Sequence, residues 1–469
     1  MLAKWDLPAA FLIAALSLIF IQVVGWDYEP GRTIECEDCA ADIGDDMPRA
    51  GHVEDMLWRG ALAVRDVEPL RRYLRPNRLF NLDDDLEETR PCLACHDGQT
   101  ADTFATMWTK FPRYNPEKER YEDFARAIQD ELKLRYNGTL PVRSDTRITL
   151  FYIYAYTKAK QAGLTFDVES VGDPALSDEE FESFTPPKRC RDIFAKYGRP
   201  RGPNAEAVMR GCNLIVDTHA NTNPMLRFWR TDVNCESCHR NAGNQPYASS
   251  IAHGAVLLPI MMTPLNRPIR FNRRILMCYA RSLNWFDLGR DAPEITYIRI
   301  YANWLAQKQD FRIGKLYKGR GIQMMFDTQA RGSSILAGER VYQNYCVGCH
   351  GKNGWGGQGN VFLGRQPPPI TGPNAFNGTA TTSRRERLAG FVYYNMPPGS
   401  SAEAPVLTVQ QALDVSVYLA ALGRPSDFTK TNQVATFMNY LWLKTIDKVF
   451  RNKSHAAAED GISTEEDDQ

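Results

Sequence analysis

Three short segments of this 469-residue chain have the same arrangement of cysteine and histidine. Two thiols separated by two residues can form thioether bonds to the two vinyl groups of one haem, and the next residue, a histidine, can bind its iron. A zinc site is the alternative, but it needs a second cysteine pair nearby and has no use for an adjacent histidine. The sequence therefore predicts three covalently bound c-type haems. Their motifs are Cys92-Leu93-Ala94-Cys95-His96, Cys235-Glu236-Ser237-Cys238-His239 and Cys346-Val347-Gly348-Cys349-His350.

The N-terminal segment predicts the compartment. From Leu7 to Trp26 the chain is almost entirely apolar, and Lys4 precedes this stretch. Its length is enough to cross a bilayer core of about 30 Å. A cleaved signal peptide is the alternative, but no Ala-x-Ala site precedes Asp27. Residues 1–26 are therefore predicted to be an inner-membrane anchor, with the remainder of the chain in the periplasm.

Five of the eleven cysteines lie outside the haem motifs. An odd number in an oxidising compartment leaves one thiol that is free or bound to a metal. Cys36 and Cys39 lack a following histidine, so a disulfide between them is favoured over a fourth haem. Cys190 and Cys212 would form the second bridge. Cys278 is then the predicted thiolate.

The chain also aligns with itself at an offset of 147 residues. Arg147–Ala155 lies over Glu294–Ala302, with Ile, Thr, Ile, Tyr and Ala repeated in place, and the same offset puts Glu131 over Cys278. Both positions fall in predicted helices.

The fold class that follows is mostly α-helical, with three class I cytochrome c-like haem domains after one N-terminal transmembrane helix. The predicted division starts with the anchor at 1–26 and ends with a helix and an acidic tail at 426–469. Between them lie haem domain 1 at 27–171, a linker at 172–189, the thiolate-ligated haem domain 2 at 190–334 and the class I cytochrome c domain 3 at 335–425.

Two further iron ligands are predicted opposite the histidines. Met396 precedes two prolines that break any helix, and a methionine on such a loop is the sixth ligand in class I cytochromes c. For the haem at His96 three alternatives stay open: an open or water-bound iron, ligation by Glu131, or capture of a residue from the N-terminal segment. His52 is the favoured ligand, because a second imidazole closes a site used for electron transfer alone.

Residues from about Gly211 to Pro425 resemble the dihaem thiosulfate dehydrogenases and, more distantly, the haem-bearing A subunit of the sulfur-oxidising cytochrome complex. The resemblance implies a cysteine thiolate opposite His239, at Cys278, and a methionine opposite His350, at Met396. The stretches that carry it are Asn234–Gly243, Asn272–Asn284, Gly338–Gly351, Gly372–Phe376 and Asn395–Gly399.

Arginines surround the predicted thiolate in sequence. Arg270, Arg274 and Cys278 follow one another at intervals of four, which would place them on one helix face. Their guanidinium groups could hold a small dianion by forked hydrogen bonds or could bind haem propionates. Both alternatives stay open.

The primary functional prediction is one-electron transfer along three haems, within a respiratory or photosynthetic membrane assembly. Its partners would be small cytochromes or a membrane oxidoreductase complex. The alternative is a thiosulfate dehydrogenase that interconverts thiosulfate and tetrathionate at the Cys278 haem, with Cys278, Arg274 and Arg270 as catalytic residues. The equal numbers of basic and acidic residues, 56 of each, do not support a nucleic-acid partner.

Overall fold

The computed structural model describes residues 103–136, 146–170, 172–221, 233–262, 267–285, 288–289, 292–325, 332–356 and 366–425. Helices dominate these ranges, and two small antiparallel hairpins make up the remaining regular structure. None of the helices within them is long and apolar enough to cross a membrane. Several predictions fall outside the described residues, namely the anchor at 1–26, the Cys36–Cys39 pair, His52, the motif at Cys92, Cys95 and His96, and the tail at 426–469.

The described chain begins with a helix, a hairpin and two longer helices. These are α1 (Thr103–Thr109), β1 (Arg113–Asn115), β2 (Arg120–Glu122), α2 (Phe124–Tyr136) and α3 (Thr146–Gln161). Four helices follow: α4 (Asp178–Ser183), α5 (Lys188–Tyr197), α6 (Ala205–Val216) and α7 (Thr218–Asn221). The first order of elements then recurs in α8 (Ile251–Leu257), β3 (Ile260–Met262), β4 (Arg267–Ile269), α9 (Phe271–Ser282) and α10 (Pro293–Lys308).

The offset of 147 residues relates these two sets of elements. It superposes β1 on β3 and β2 on β4 without a gap, and it takes the first residue of α2 to the first residue of α9. Loop hydrogen bonds follow the same register: the Asp167 amide donates to the Thr109 carbonyl, and the Gly314 amide donates to the Val256 carbonyl. The repeat predicted from the sequence is therefore present in the fold, with Glu131 and Cys278 on equivalent helices.

The two repeats contact each other through equivalent positions. Tyr156 on α3 donates its hydroxyl to the Leu257 carbonyl of the second repeat, at 3.3 Å. Its counterpart, Asn303 on α10, donates from Nδ2 to the Phe111 carbonyl of the first repeat, at 3.2 Å. Each repeat thus satisfies a backbone carbonyl of the other, as in a twofold-symmetric interface.

Two residues at equivalent positions of the two repeats, Tyr152 and Arg299, contact each other across this interface. Arg299 on α10 donates from Nη2 to the hydroxyl of Tyr152 on α3, at 3.0 Å. The guanidinium also reaches Asn272 Oδ1 at the start of α9, at 3.2 Å, although only 3% of Arg299 is exposed. A buried cation needs such partners, so Arg299 ties the first repeat to the helix that carries Cys278.

The segment predicted as a linker, 172–189, includes the short helix α4. Ser177 caps it, because its hydroxyl accepts from the Glu180 amide while the Glu180 carboxylate accepts from the Ser177 amide. The acidic run that resembles a linker in sequence is therefore the first turn of a helix. Phe181 from this helix is buried in the core shared by both repeats.

A disulfide between Cys190 and Cys212 joins α5 to α6 and confirms the predicted pairing. Both half-cystines are fully buried. The bridge holds α5, which follows the segment containing α4, against α6, which packs along α10. It therefore fixes one side of the second repeat.

The third part of the described chain, residues 332–425, has its own core. Its helices are α11 (Ile335–Tyr345), α12 (Val347–His350), α13 (Arg385–Asn395) and α14 (Val409–Ala421). Packing of α11 and α13 on α14 buries Val341, Leu388 and Leu419. The α11–α14 crossing is close, because a Cβ added at Gly338 would lie 2.1 Å from the Asp414 carbonyl oxygen.

The repeat interface predicts a large effect of one small substitution. Asn303→Ala removes the donor to the Phe111 carbonyl and leaves that carbonyl buried without it, so we expect a loss of about 1–3 kcal/mol in the free energy of unfolding. Denaturant unfolding of the haem-loaded chain measures the loss. Asn344→Ala, at an exposed position of α11, is the matched control and should change stability by less than about 0.5 kcal/mol. Equal effects of the two substitutions would contradict the role given to Asn303.

Candidate haem centres

The second motif begins in a single 3-10 turn that directs its side chains to one side. The Cys235 amide donates to the Thr218 hydroxyl at 3.0 Å, and the His239 amide donates to the Cys235 carbonyl at 2.8 Å. His239 Nδ1 lies 2.6 Å from the Ser249 carbonyl oxygen. That contact makes Nδ1 the protonated nitrogen and leaves Nε2 for a metal, as in other metal-binding histidines.

Cys278 on α9 lies near both thiols of this motif. Burial raises the pKa of the Cys235 thiol to about 12 and that of Cys238 to about 11, and the neighbouring Cys278 thiol contributes to both increases. Thr382, from residues 366–425, hydrogen-bonds to Cys238 and partly offsets the effect of burial on its pKa. The second motif, α9 and the third part of the chain therefore meet at one site.

Positive charge is concentrated beside this site. Arg274, one turn before Cys278 on α9, donates from Nη2 to the Thr381 hydroxyl at 3.2 Å. Burial and, to a smaller extent, the charge of Arg274 lower the pKa of His239. Burial also lowers the pKa of Arg387, and the charges of Arg384 and Arg274 lower it further. Three guanidinium groups, from α9 and the start of α13, thus lie close enough to influence one another electrostatically, and that of Arg274 also influences His239.

Arg270 lies elsewhere. It is the N-cap residue of α9 and has an extended backbone, with φ −79° and ψ 159°. The four-residue spacing that aligns side chains applies only within a helix, so Arg270 does not share the face of Arg274 and Cys278. Its guanidinium lies instead over the ring of Tyr152, 5.4 Å from the ring centroid.

The third motif opens into a mostly apolar cavity. His350 is the last residue of α12, and its Nδ1 lies 2.9 Å from the Pro368 carbonyl oxygen, which again leaves Nε2 for a metal. Met396 directly follows α13 as its C-cap residue and lines the same cavity as both motif cysteines. The remaining lining includes Tyr345, Ile370, Phe376, Leu388, Phe391, Val392, Val415 and Leu419. An apolar slot with a histidine, a methionine and two cysteines at its walls fits a covalently attached haem.

Arg424 provides an independent test of that fit. Its Nε donates to the Ile370 carbonyl at 3.1 Å, and its guanidinium lies 4.7 Å from the ring centroid of Phe376. Burial lowers its pKa to about 10, and Nη2 is buried without a hydrogen-bond partner among the described residues. A buried cationic donor of this kind requires an acceptor, and a haem propionate would supply one.

The C-terminal end of α9 is held by a residue that the sequence motifs do not include. Asn377 is fully buried, and its backbone N–H donates to the Arg281 carbonyl at 3.1 Å. Its side-chain nitrogen donates to the Ala280 carbonyl at 3.2 Å and to Asn284 Oδ1 at 3.0 Å. The sequence signal was its position directly after the Gly372–Phe376 stretch.

A second set of contacts joins the loop that follows the second motif to the last turn of α13. Gln245 donates from Nε2 to Asn395 Oδ1 at 2.8 Å, and Asn395 donates from Nδ2 to the Tyr247 carbonyl at 3.2 Å. The rings of Tyr247 and Tyr394 stack with centroids 4.0 Å apart. The residue before Met396 is thus fixed against the loop that follows His239.

Comparisons with known proteins place the chain among c-type cytochromes. The family profile described as Cytochrome c matches residues 335–423. The chain is 29% identical to the thiosulfate dehydrogenase of Allochromatium vinosum over 51% of its own length and 86% of that protein. It is 28% identical to the thiosulfate dehydrogenase of Thiomonas intermedia, over 52% and 72% of the two chains. A solved thiosulfate dehydrogenase (TsdBA) from Marichromatium purpuratum aligns with a TM-score of 0.42 and 21% identity, covering 76% of this chain and 70% of that one.

Residues 335–423 therefore form a cytochrome c domain, and the protein is a c-type cytochrome with covalently bound haem. More particularly, it is a thiosulfate dehydrogenase-like c-type cytochrome, which confirms the resemblance found in the sequence.

The position of Met396 leads to a spectroscopic prediction. Met396→Ala should abolish the near-infrared absorption of thioether-bound ferric haem and lower the reduction potential of one haem, because thioether ligation raises that potential. Met324→Ala, at an exposed methionine, should leave both unchanged. Persistence of the near-infrared band in Met396→Ala would show that Met396 is not the ligand.

Proposed function

We propose that this protein oxidises thiosulfate to tetrathionate at a haem that Cys235 and Cys238 would attach and whose iron His239 and Cys278 would bind. The observation that carries the proposal is the position of α9, which brings Cys278 close to both motif thiols and Arg274 to the border with the third domain. The thiosulfate dehydrogenases similar to this chain support it.

The reaction sets clear demands on the side chains. Two thiosulfate dianions form one sulfur–sulfur bond, giving the tetrathionate dianion and two electrons, and no proton is taken up or released. The haem, when bound, supplies the one-electron acceptor. The protein must bind the dianions, bring them together and keep their sulfur atoms oriented.

Bringing the two substrates together is the most demanding of these tasks. Two dianions about 4 Å apart repel each other by about 16 kcal/mol at an effective dielectric constant near 20, four times the energy of two unit charges. Arg274, Arg384 and Arg387 act on one region and offset this repulsion. A guanidinium also offers parallel N–H donors, which match the oxygens of a sulfonate-like group.

A haem held by Cys346, Cys349, His350 and Met396 would supply the next acceptor for the electrons. The cavity that holds Cys346, Cys349 and His350 also reaches Ser237 and Cys238 of the second motif. Residues of both haem-attachment motifs therefore line the same cavity. Met396, as a thioether ligand, would give the second acceptor the higher potential, which favours transfer in this direction.

The rest of the chain extends this function. We propose that the motif at Cys92–His96 binds a third haem, ligated by His52, and that residues 1–26 anchor the protein with its haem domains in the periplasm. A small cytochrome or a membrane oxidoreductase complex would then take up the electrons.

Kinetics of an arginine variant test the proposed activity. In steady-state assays with thiosulfate and an artificial electron acceptor, Arg274→Gln should lower kcat/KM by about 10- to 100-fold. This is the loss expected for hydrogen bonds to a charged substrate, each contributing about 1.5–3 kcal/mol. Arg274→Lys should recover part of the loss in kcat/KM, because lysine restores the positive charge but not the two parallel N–H donors of a guanidinium.

Arg201→Gln, at an exposed arginine between α5 and α6, is the matched control and should leave kcat/KM unchanged. Absence of thiosulfate turnover by the unmodified, haem-loaded chain would contradict the proposed function. Unaltered kinetics in Arg274→Gln would contradict the role of Arg274.

A further inference from the structure

A cleft separates α5 from the second and third motifs. Its walls include Arg189 next to the start of α5, Glu236 and Arg240 of the second motif region, and His350 and Met396 of the third site. Both proposed iron ligands of the third site therefore border a cleft whose opposite wall is charged. These charged side chains have no part in the proposed binding of thiosulfate.

Two of the charges in this wall are paired with each other. Arg189 Nε lies 3.2 Å from Glu236 Oε1, and that carboxylate also accepts from the Ala242 amide at 3.2 Å. Glu236 is 9% exposed, so its charge is largely removed from water. Arg189 compensates the charge of Glu236, and Lys188 in the same lining pairs with Asp192 at 2.9 Å, so Arg240 is the third cation of the cleft.

Arg240 follows His239 in the chain but acts on the third site. It is half-buried, and burial lowers its pKa, with Arg189 contributing in the same direction. Arg240 lines the same cleft as His350 and Met396, the two proposed iron ligands of the third site. One guanidinium thus lies within electrostatic reach of both described haem motifs.

We propose that Arg240, supplied by the second motif, is a positioning residue for the haem of the third motif, where its charge pairs with a haem propionate and raises the reduction potential of that haem. Reduction adds a negative charge to the haem, and a fixed cation in a partly desolvated cleft stabilises it with little screening. Arg240 would thereby favour electron transfer from the second site to the third.

Substitutions of Arg240 and of Glu236 should shift the midpoint potential of the third-motif haem in opposite directions, which a purely structural role would not do. In Arg240→Gln the midpoint potential of the third-motif haem should fall, and in Arg240→Lys it should return most of the way. In Glu236→Gln it should rise, because the cleft loses a negative charge while Arg240 stays. Potentiometric titration of the full haem-loaded chain measures these shifts, with the thioether band lost in Met396→Ala identifying the haem.

Arg340→Gln, at an exposed arginine of α11 in the same domain, is the matched control and should leave this midpoint unchanged. An unchanged midpoint in Arg240→Gln would overturn the proposal, as would an equal shift of every haem in the chain. If Arg240→Gln does not accumulate with bound haem, Glu236→Gln decides: an upward shift supports the proposal and no shift overturns it. These measurements require no thiosulfate, so their result can be interpreted even if the protein does not oxidise thiosulfate.

Discussion

The buried contact between Asn377 and the end of α9 is the interaction on which the site depends. The Asn377 backbone amide donates to the Arg281 carbonyl, and its side-chain nitrogen donates to the Ala280 carbonyl and to Asn284 Oδ1. These hydrogen bonds join α9 to the cytochrome c domain, and the full burial of Asn377 makes each of them costly to lose. Because α9 is rigid, fixing its end also fixes Cys278 beside the second motif and Arg274 against Thr381. The site is thus completed by two parts of the chain, and neither part contains it alone.

The repeat shows why only one of its two copies has this chemistry. Residues of α2 and α9 correspond along their length, yet α2 has Glu131 in place of Cys278 and Ala127 in place of Arg274. Reciprocal contacts between α3 and α10 hold the two copies together. Among the described residues, the first copy supports the second through Tyr152, which contacts both Arg299 and Arg270. Both copies have the same fold, but only the second has the thiol of Cys278 and the guanidinium of Arg274.

Local and periodic features could be predicted from the sequence, and long-range contacts could not. The second and third motifs and the 147-residue repeat depend on spacing along the chain, and the Cys190–Cys212 disulfide follows from counting the cysteines outside the motifs. The position of Arg270 depends on where α9 begins, which residue spacing does not show. Asn377 and Arg240 lie in or beside stretches that the sequence singles out, but the residues they act on are far away in sequence, and residue spacing does not show those contacts. The anchor, the first haem and its ligand His52 stay predictions.

Binding of Cys278 to the iron of the second-motif haem can be measured by electron paramagnetic resonance of the fully oxidised chain. Replacing the thiolate changes the ligand field of one low-spin ferric haem only. We expect Cys278→Ser to remove one low-spin resonance, while the resonances of the other haems and the haem content per chain stay the same. An unchanged spectrum would show that Cys278 is not a ligand of this iron.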